Sequence, residues 1–384
     1  MNIMFQVGSW HYDKGGTDLF VKTISYWLAN KGHKVIVLAH RLEEEDCHSE
    51  DIKHNKGIIK VRYTPKQKKG LRFNPAVYLY RLLITSRYLS KIAKKEKAEV
   101  IVVGEPELLA TLPLKLTNTK IVCRGGALMY ETMKREIYKE KGPGLSSSIF
   151  ISLMKIYNNL TLKIPDVMVP VNASEYQFLN KKKSSKAKIQ TIPHGIKTNL
   201  FKPSGKRKNK KIVVGYVGRL APIKYPERAL SLFNQASKNQ KTEFHWVGPL
   251  DPSLDKDYFN KLKDKLNIKN AKWVGQIKNT ELPDYLNKMD IFLQVEQQTN
   301  VSRSTTEAAA CGLPVVALNI GKEPYGFFTM SEEKALSELR KLIKDKKYRN
   351  KQSKMARKII LENYSEDKTY NSYLELFNSL RRPR

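Results

Sequence analysis

The chain has 384 residues, 41% of them hydrophobic, with 70 Lys+Arg against 37 Asp+Glu and a formal net charge of +33. That length exceeds one ordinary core, so two domains are expected, and the apolar content suffices for both. No run reaches the length of a membrane-spanning helix. The opening MNIMFQVGSW lacks the basic and long apolar regions of a secretion signal. Cys47, Cys123 and Cys311 lie far apart without metal or redox spacing, which fits a reducing cytosol. The charge admits nucleic acid, an anionic membrane surface or phosphorylated substrates as partners, beside the plain reading of lysine-rich solvated faces. The densest runs, Lys181 to Lys188 and Lys202 to Lys211, flank IQTIPHGIKTNLF and read as decoration of a surface connector.

In chain order, NIMFQV is a short apolar strand. TDLFVKTISYWLANKG has helical spacing, with Phe20, Val21, Ile24, Trp27 and Leu28 on one face and Gly32 as the stop. HKVIVLAH completes a β-α-β unit whose first turn carries DKGGT. GIIKVRY, AEVIVVG, TKIVCRGG and DVMVPV are further strands. Between them, NPAVYLYRLLITSRYLSKIAKK and FISLMKIYNNLTL read as basic or amphipathic helices, able either to rest on an anionic membrane or to pack on the sheet. After Lys211 the alternation restarts. Strands KIVVGYVG, TEFHWVG, AKWVGQI, IFLQV and PVVALN alternate with helices PERALSLFNQASK, LDKDYFNKLKDKL and TELPDYLNKMD, and helical material follows to the end. The fold class is α/β, two doubly wound Rossmann-like domains with ligands expected in a cleft between them. The domains are placed at residues 1–195 and 196–365, with a closing helix at 366–384 packing back on the first.

Three stretches carry chemistry. In GYVGRLAPIKYPERA, Gly218 ends a strand, and Arg219 and Lys224 lie in the turn before a helix. A helix N-terminus already favours anions, and a guanidinium fork with an ammonium suits a diphosphate. In DKGGT, Gly15 and Gly16 let backbone amides approach a ligand. The turn is not G-x-G-x-x-G, which argues against a nicotinamide enzyme. In TNVSRSTTEAAACGLPVV a helix is expected to start near Ser302, its hydroxyls capping exposed amides. Glu307, about two turns in, either accepts hydrogen bonds from ribose hydroxyls or is an ordinary exposed acid favoured by the helix dipole. His245 reads as a strand histidine, and Asp255 to Asp257 as a solvated face rather than a metal site.

These pieces, with IPHGIKTNLFKP, WVGQI, LPDYLNKMDIFL and EAAACGLPVVALN, resemble the retaining glycosyltransferase family 4 of GT-B fold, the "glycosyl transferases group 1" type. The likeness spans nearly the whole chain and is tightest in the second half. It implies a nucleotide diphosphate sugar donor held by the second domain. Arg219 and Lys224 match the diphosphate-binding pair, Glu307 the acid that holds the donor ribose, and Gly16 the loop that closes over the donor phosphates. Gly275, Gln276 and Ile277 match the region contacting the base. The family needs no divalent metal and no cofactor, and its acceptors suit cell-surface or lipid-linked glycan synthesis in the cytoplasm, at the inner membrane face. The chain departs from the family where a second glutamate is usual. Thr299 stands there, followed by Asn300, Val301, Ser302 and Arg303 in place of Gly-Phe-Gly and its successor, while Glu296 falls three residues too early. That puts the sugar identity, and to a lesser degree catalysis, in question. The acceptor-side histidine has no counterpart; Arg124 takes roughly that turn, and Glu105 joins it as an acceptor-side candidate. Competing readings are a donor-binding but degenerate GT-B protein, a sugar-nucleotide epimerase of the same architecture, and a basic nucleic-acid-binding protein. The last lacks a recognition module.

Overall fold

Near-continuous apolar strands such as VIVV and IFLQV suit parallel sheets covered on both faces, and the chain builds two of them. The computed structural model describes residues 1–10, 16–42, 47–67, 75–125, 134, 144–182, 187–205, 210–238, 240–251, 260–262, 264, 270–295, 302–319 and 323–381. It divides into two compact units. One comprises Met1–Val171, Glu175–Ile192 and Tyr370–Arg384, the other Asn172–Ser174 and Pro193–Thr369.

The first unit holds an eight-stranded sheet in the order β3-β4-β2-β1-β5-β6-β7-β8. Its strands are β1 (Asn2–Val7), β2 (Lys34–Leu42), β3 (Glu50–His54), β4 (Gly57–Gln67), β5 (Val100–Val103), β6 (Lys120–Arg124), β7 (Val167–Val169) and β8 (Lys188–Ile189). All neighbours run parallel except β3 and β4, an antiparallel pair. Sequence reading misses β3 because EDIKH alternates half-buried and exposed residues at a sheet edge, with one aliphatic side chain in five. Its helices are α1 (Gly16–Asn30), α2 (Pro75–Glu96), α3 (Leu145–Thr161) and α4 (Ala173–Lys182). A 3-10 helix at Glu105–Leu116 also escapes the periodicity, since Pro113 interrupts any α-helical pattern there. Glu96, at the end of α2, takes ion pairs from Lys34 of β2 at 2.7 Å and Lys60 of β4 at 3.0 Å. Burial pushes its carboxyl up, but the two lysines together hold it below the ordinary glutamate value. No helix among the described residues is long and apolar enough to cross a membrane.

The second unit carries a six-stranded parallel sheet in the order β11-β10-β9-β12-β13-β14. Its strands are β9 (Ile212–Val217), β10 (Thr242–Val247), β11 (Ala271–Gly275), β12 (Ile291–Val295), β13 (Val315–Leu318) and β14 (Phe327–Thr329). The helices are α5 (Pro226–Ala236), α6 (Leu282–Leu286), α7 (Arg303–Ala310), α8 (Glu332–Lys344) and α9 (Lys346–Asn363), while α10 (Glu366–Ser379) belongs to the first unit from Tyr370 onward. The edge strand β14 escapes sequence reading; its FFT is only half-buried. The expected helix LDKDYFNKLKDKL is described only at 260–262 and 264, which are helical. From α10, Tyr370, Tyr373 and Phe377 enter the first unit's core, where Tyr373 lies 5.2 Å from the Phe20 ring.

In the second sheet the chain leaves β9 toward β10 and β11, then returns to β9's other side with β12. The loops after β9 and β12 therefore diverge, opening a crevice at the carboxyl ends of those two strands, where open α/β sheets bind ligands.

Candidate active site

Three strands bring glycines to this edge, and two indoles hold them in step. Trp246 Nε1 donates to the Gly218 carbonyl at 3.0 Å, and Trp273 Nε1 to the Gly248 carbonyl at 2.9 Å. The Gly248 amide in turn donates to Gly275 at 2.8 Å. Two of these positions exclude a side chain. A Cβ on Gly218 would lie 2.7 Å from the Tyr216 ring, itself stacked on Trp246 with centroids 4.0 Å apart. Gly248, at φ +148, would put one 2.1 Å from the Gly218 oxygen.

Arg219 leaves β9 with its side chain 49% exposed, and its Nη1 lies 3.4 Å from Asp251 Oδ2. A long pair at that exposure binds weakly, so the guanidinium can change partners. Sequence reading misses Asp251, which stands beyond a different strand; the isolated bridge of Leu220 with Leu250 brings the two turns together. Lys224 ends a one-turn 3-10 helix at Pro222–Lys224. The next residue, Tyr225, has φ +49, a rare conformation for a non-glycine residue and one that Pro226 at the start of α5 makes costlier. Backbone outliers of this kind gather at functional sites.

Across the crevice, α7 starts where expected, with Ser302 at the N-cap position. Its hydroxyl does not cap an amide, however; it pairs with Ser304 Oγ at 2.6 Å, and Ser304 donates to the Val217 carbonyl at 2.9 Å. That bond ties α7 to the end of β9. Glu307 lies little more than one turn into α7 rather than two, and it is buried rather than exposed. Its Oε1 accepts from Arg303 Nε at 2.9 Å, one turn earlier on the same helix. Arg303 and Glu307 are spaced i, i+4, so this pair was readable from the sequence. Burial pushes the Glu307 carboxyl up from the ordinary glutamate value, and Arg303 opposes the rise without cancelling it.

A helix this short needs outside support, and it has three kinds. Ala308, Ala309 and Ala310 are fully buried in the second unit's core. The Tyr325 hydroxyl lies 3.0 Å from Thr305 Oγ1 and 3.1 Å from Thr306 Oγ1. At the C-terminal end, Arg357 of α9 donates to the Ala310 and Phe201 carbonyls at 2.7 Å each and to Thr198 at 3.0 Å. Sequence reading gave Tyr325 and Arg357 no role, because both act across long sequence separations.

Gly218, Arg219, Lys224, Ser302, Arg303 and Glu307 thus flank the β9/β12 crevice. Gln276 is exposed and Ile277 half-buried just past β11, two strands further along the same edge. Gly15, Glu296, Thr299, Val301 and the stretch Asp255 to Asp257 lie outside the described residues. In the first unit, Gly16 begins α1. Glu105 and Arg124 stand just past β5 and at the end of β6, and both are buried. Glu105 accepts from the Asn158 amide, and the Arg124 guanidinium sits 3.7 Å above the Phe20 ring. His245 is a buried strand residue, its Nδ1 3.1 Å from the Tyr285 hydroxyl.

Residues 197–359 match the family model described as "Glycosyl transferases group 1". The chain is 22% identical over 318 residues to a phosphatidylinositol N-acetylglucosaminyltransferase component of Arabidopsis thaliana, covering 81% of this chain and 65% of that protein. It spans less than two thirds of the length of the curated relatives it matches, 35% in one case and 65% in the other. Among solved structures, a sucrose-phosphate synthase from Thermosynechococcus elongatus superposes with a TM-score of 0.76 at 16% identity, covering 99% of this chain and 98% of that one. The Anabaena protein Alr3699/HepE, in complex with UDP and glucose, gives 0.69 at 15% identity, covering 99% and 100%. At such identities the structures speak for the fold, which is GT-B. The matched segment encloses Arg219, Lys224 and Glu307, so this part of the chain is similar to the glycosyl transferases group 1 family.

Proposed function

We propose that the chain moves a sugar from a nucleotide diphosphate sugar to an acceptor hydroxyl with retention of anomeric configuration. One observation carries this reading: Arg219 and Lys224 on one side of the β9/β12 crevice stand against the buried, Arg303-held Glu307 on the other. The structural relative with UDP and glucose bound supports the donor class. In this reading the donor diphosphate takes Arg219 from Asp251 and lies between it and Lys224. Glu307 accepts from the ribose hydroxyls through Oε2, while the Arg303 guanidinium opposes the effect of burial on the carboxylate. The anomeric carbon–oxygen bond breaks with its electron pair passing to the diphosphate. The acceptor oxygen bonds to the same face, and its proton goes to a phosphate oxygen. The departing charge is met by Arg219, Lys224 and the dipole of the adjoining helix, so the reaction proceeds without a divalent metal.

The acceptor belongs to the first unit in this reading, with Glu105 and Arg124 shaping its site, and is a glycan or lipid-linked hydroxyl handled on the cytoplasmic side. The Arabidopsis relative's name, with its phosphatidylinositol acceptor, supports the lipid-linked choice. The test is release of nucleoside diphosphate from a panel of nucleotide sugars with detergent-solubilised membrane lipids as acceptor, and NMR of the product's anomeric proton. Turnover with retention is expected in the wild-type chain. An inverted product, or wild-type turnover by the Arg219→Ala/Lys224→Ala variant, would overturn the proposal.

A further inference from the structure

The 17 residues of α3 carry an apolar stripe on their outer face. Ser147, Ile151, Asn158 and Thr161, at successive turns, face the body of the first unit and are buried. The opposite stripe, Ile149, Leu153, Ile156 and Leu160, is 54–57% exposed. An ordinary surface helix buries its apolar stripe and shows its polar one to water. Here three polar groups are turned inward beside Ile151, and an apolar strip about 17 Å long is left outside.

The neighbouring surface continues the strip. Both α2 and α3 pack against the 3-10 helix at Glu105–Leu116. That helix exposes Leu112 at 52% and Leu116 at 92%, and α2 exposes Tyr80 at 59% and Leu83 at 63%. These three adjoining segments hold eight of the thirteen exposed large hydrophobic side chains among the described residues. Such concentration marks an interaction surface rather than scattered exposure.

Charge identifies the occupant. On α2 the turns after Tyr80 and Leu83 carry Arg87, Lys91 and Lys94, all exposed, so the apolar stripe runs into a cationic one. On α3, Lys155 lies beside the strip and Lys163 follows its end, and residues 145–163 contain no acid. A second copy of a chain with net charge +33 would bring like charge against this surface. Apolar side chains with flanking Lys and Arg, and no acid on α3, instead match the acyl boundary and headgroups of an anionic bilayer.

We infer that the outer faces of α2 and α3, with the 3-10 helix between them, form a docking surface on which the first unit lies against an anionic membrane. Insertion of Ile149, Leu153, Ile156 and Leu160 supplies the apolar part, and the lysines and arginines select anionic lipid. The inference is independent of the donor chemistry, so the Arg219→Ala/Lys224→Ala variant should bind vesicles as the wild type does.

The experiment is co-sedimentation of the full chain with phosphatidylglycerol-containing and pure phosphatidylcholine vesicles, with sedimentation velocity alongside. The test variant is Leu153→Glu/Ile156→Glu, both at exposed positions, with Ile149→Ser/Leu160→Ser as a milder second pair. Expected is salt-sensitive binding to the anionic vesicles, about tenfold or more weaker in the glutamate pair, and weakened in the serine pair at unchanged melting temperature. Failure of the wild type to bind anionic vesicles would overturn the inference, as would equal binding by both variants. So would a wild-type dimer that the glutamate pair dissociates, since a second copy would then own the surface.

Discussion

The two sheets end in the same way, with loops at the carboxyl edges of parallel strands, but they use charge there differently. In the first unit Glu105 and Arg124 are buried, one bonded to Asn158 and the other laid on the Phe20 ring. In the second, Arg219 is half exposed on a weak partner and Glu307 is held by a single guanidinium. The first edge has packed its cation away, whereas the second leaves Arg219 exposed. In the proposed reading one architecture shapes an acceptor site with packed charges in one half and meets the donor diphosphate with exposed ones in the other, and the difference can be probed from both sides.

The largest effect should come from the available charges. Arg219→Ala/Lys224→Ala should lower kcat/KM for the donor by about 10³-fold or more, since each cation stabilises the departing diphosphate. The melting temperature should stay near wild type, because Arg219 is exposed and its pair with Asp251 is weak. If that variant lost stability as well, Arg219 would be a packing residue like Arg124, and the contrast would fall.

Next is the support of α7. Arg357→Ala strands three carbonyls at once and should cost about 2–3 kcal/mol in urea denaturation. Donor KM should rise with it, since Glu307 rides on the helix whose end Arg357 holds.

Arg303→Ala sharpens the comparison through pH. Burial raises the Glu307 carboxyl and Arg303 opposes that rise, so removing Arg303 lifts it further. In the proposed reading ribose binding needs the ionised form, and the acid limb of donor affinity should therefore move to higher pH. Isothermal titration with a nucleoside diphosphate across pH 5–8 reads this, and an unmoved limb would remove Glu307 from the donor site.

The smallest effect belongs to the first unit. Glu96 sits below its ordinary value because Lys34 and Lys60 outweigh its burial. Its stabilisation is present above the unfolded glutamate pKa of about 4.3 and is lost as pH falls through the lower folded value. Glu96→Gln should cost about 1–2 kcal/mol at pH 7 and progressively less toward pH 3, measured by denaturation of the full chain.

What the sequence made legible follows from range. The β9 turn, the start of α7 and the alternation of strands are local patterns, and they stand where periodicity and glycines placed them. Ser304 reaching Val217, Tyr325 reaching Thr305 and Arg357 reaching Ala310 are pairings between distant segments, and nothing local announces them. The i, i+4 spacing of Arg303 and Glu307 was visible, yet burial decides whether such a pair is a surface ornament or a tuned carboxylate. Edge strands β3 and β14 are missed for local reasons: EDIKH has one aliphatic residue in five, and the three residues of FFT are too few to show a period. For α2, Leu82 packs inward as a sheet-covering residue should, while Leu83 faces out at 63%. The helical pattern alone could not separate those two.

In the proposed function the crevice between β9 and β12 binds a nucleotide diphosphate sugar through Arg219 and Lys224. Thermal-shift screening of the wild type and the Arg219→Ala/Lys224→Ala variant against a panel of such donors tests it most directly. A raised Tm is expected with at least one donor in the wild type and with none in the variant. No shift with any donor, or an equal shift in both proteins, would contradict it.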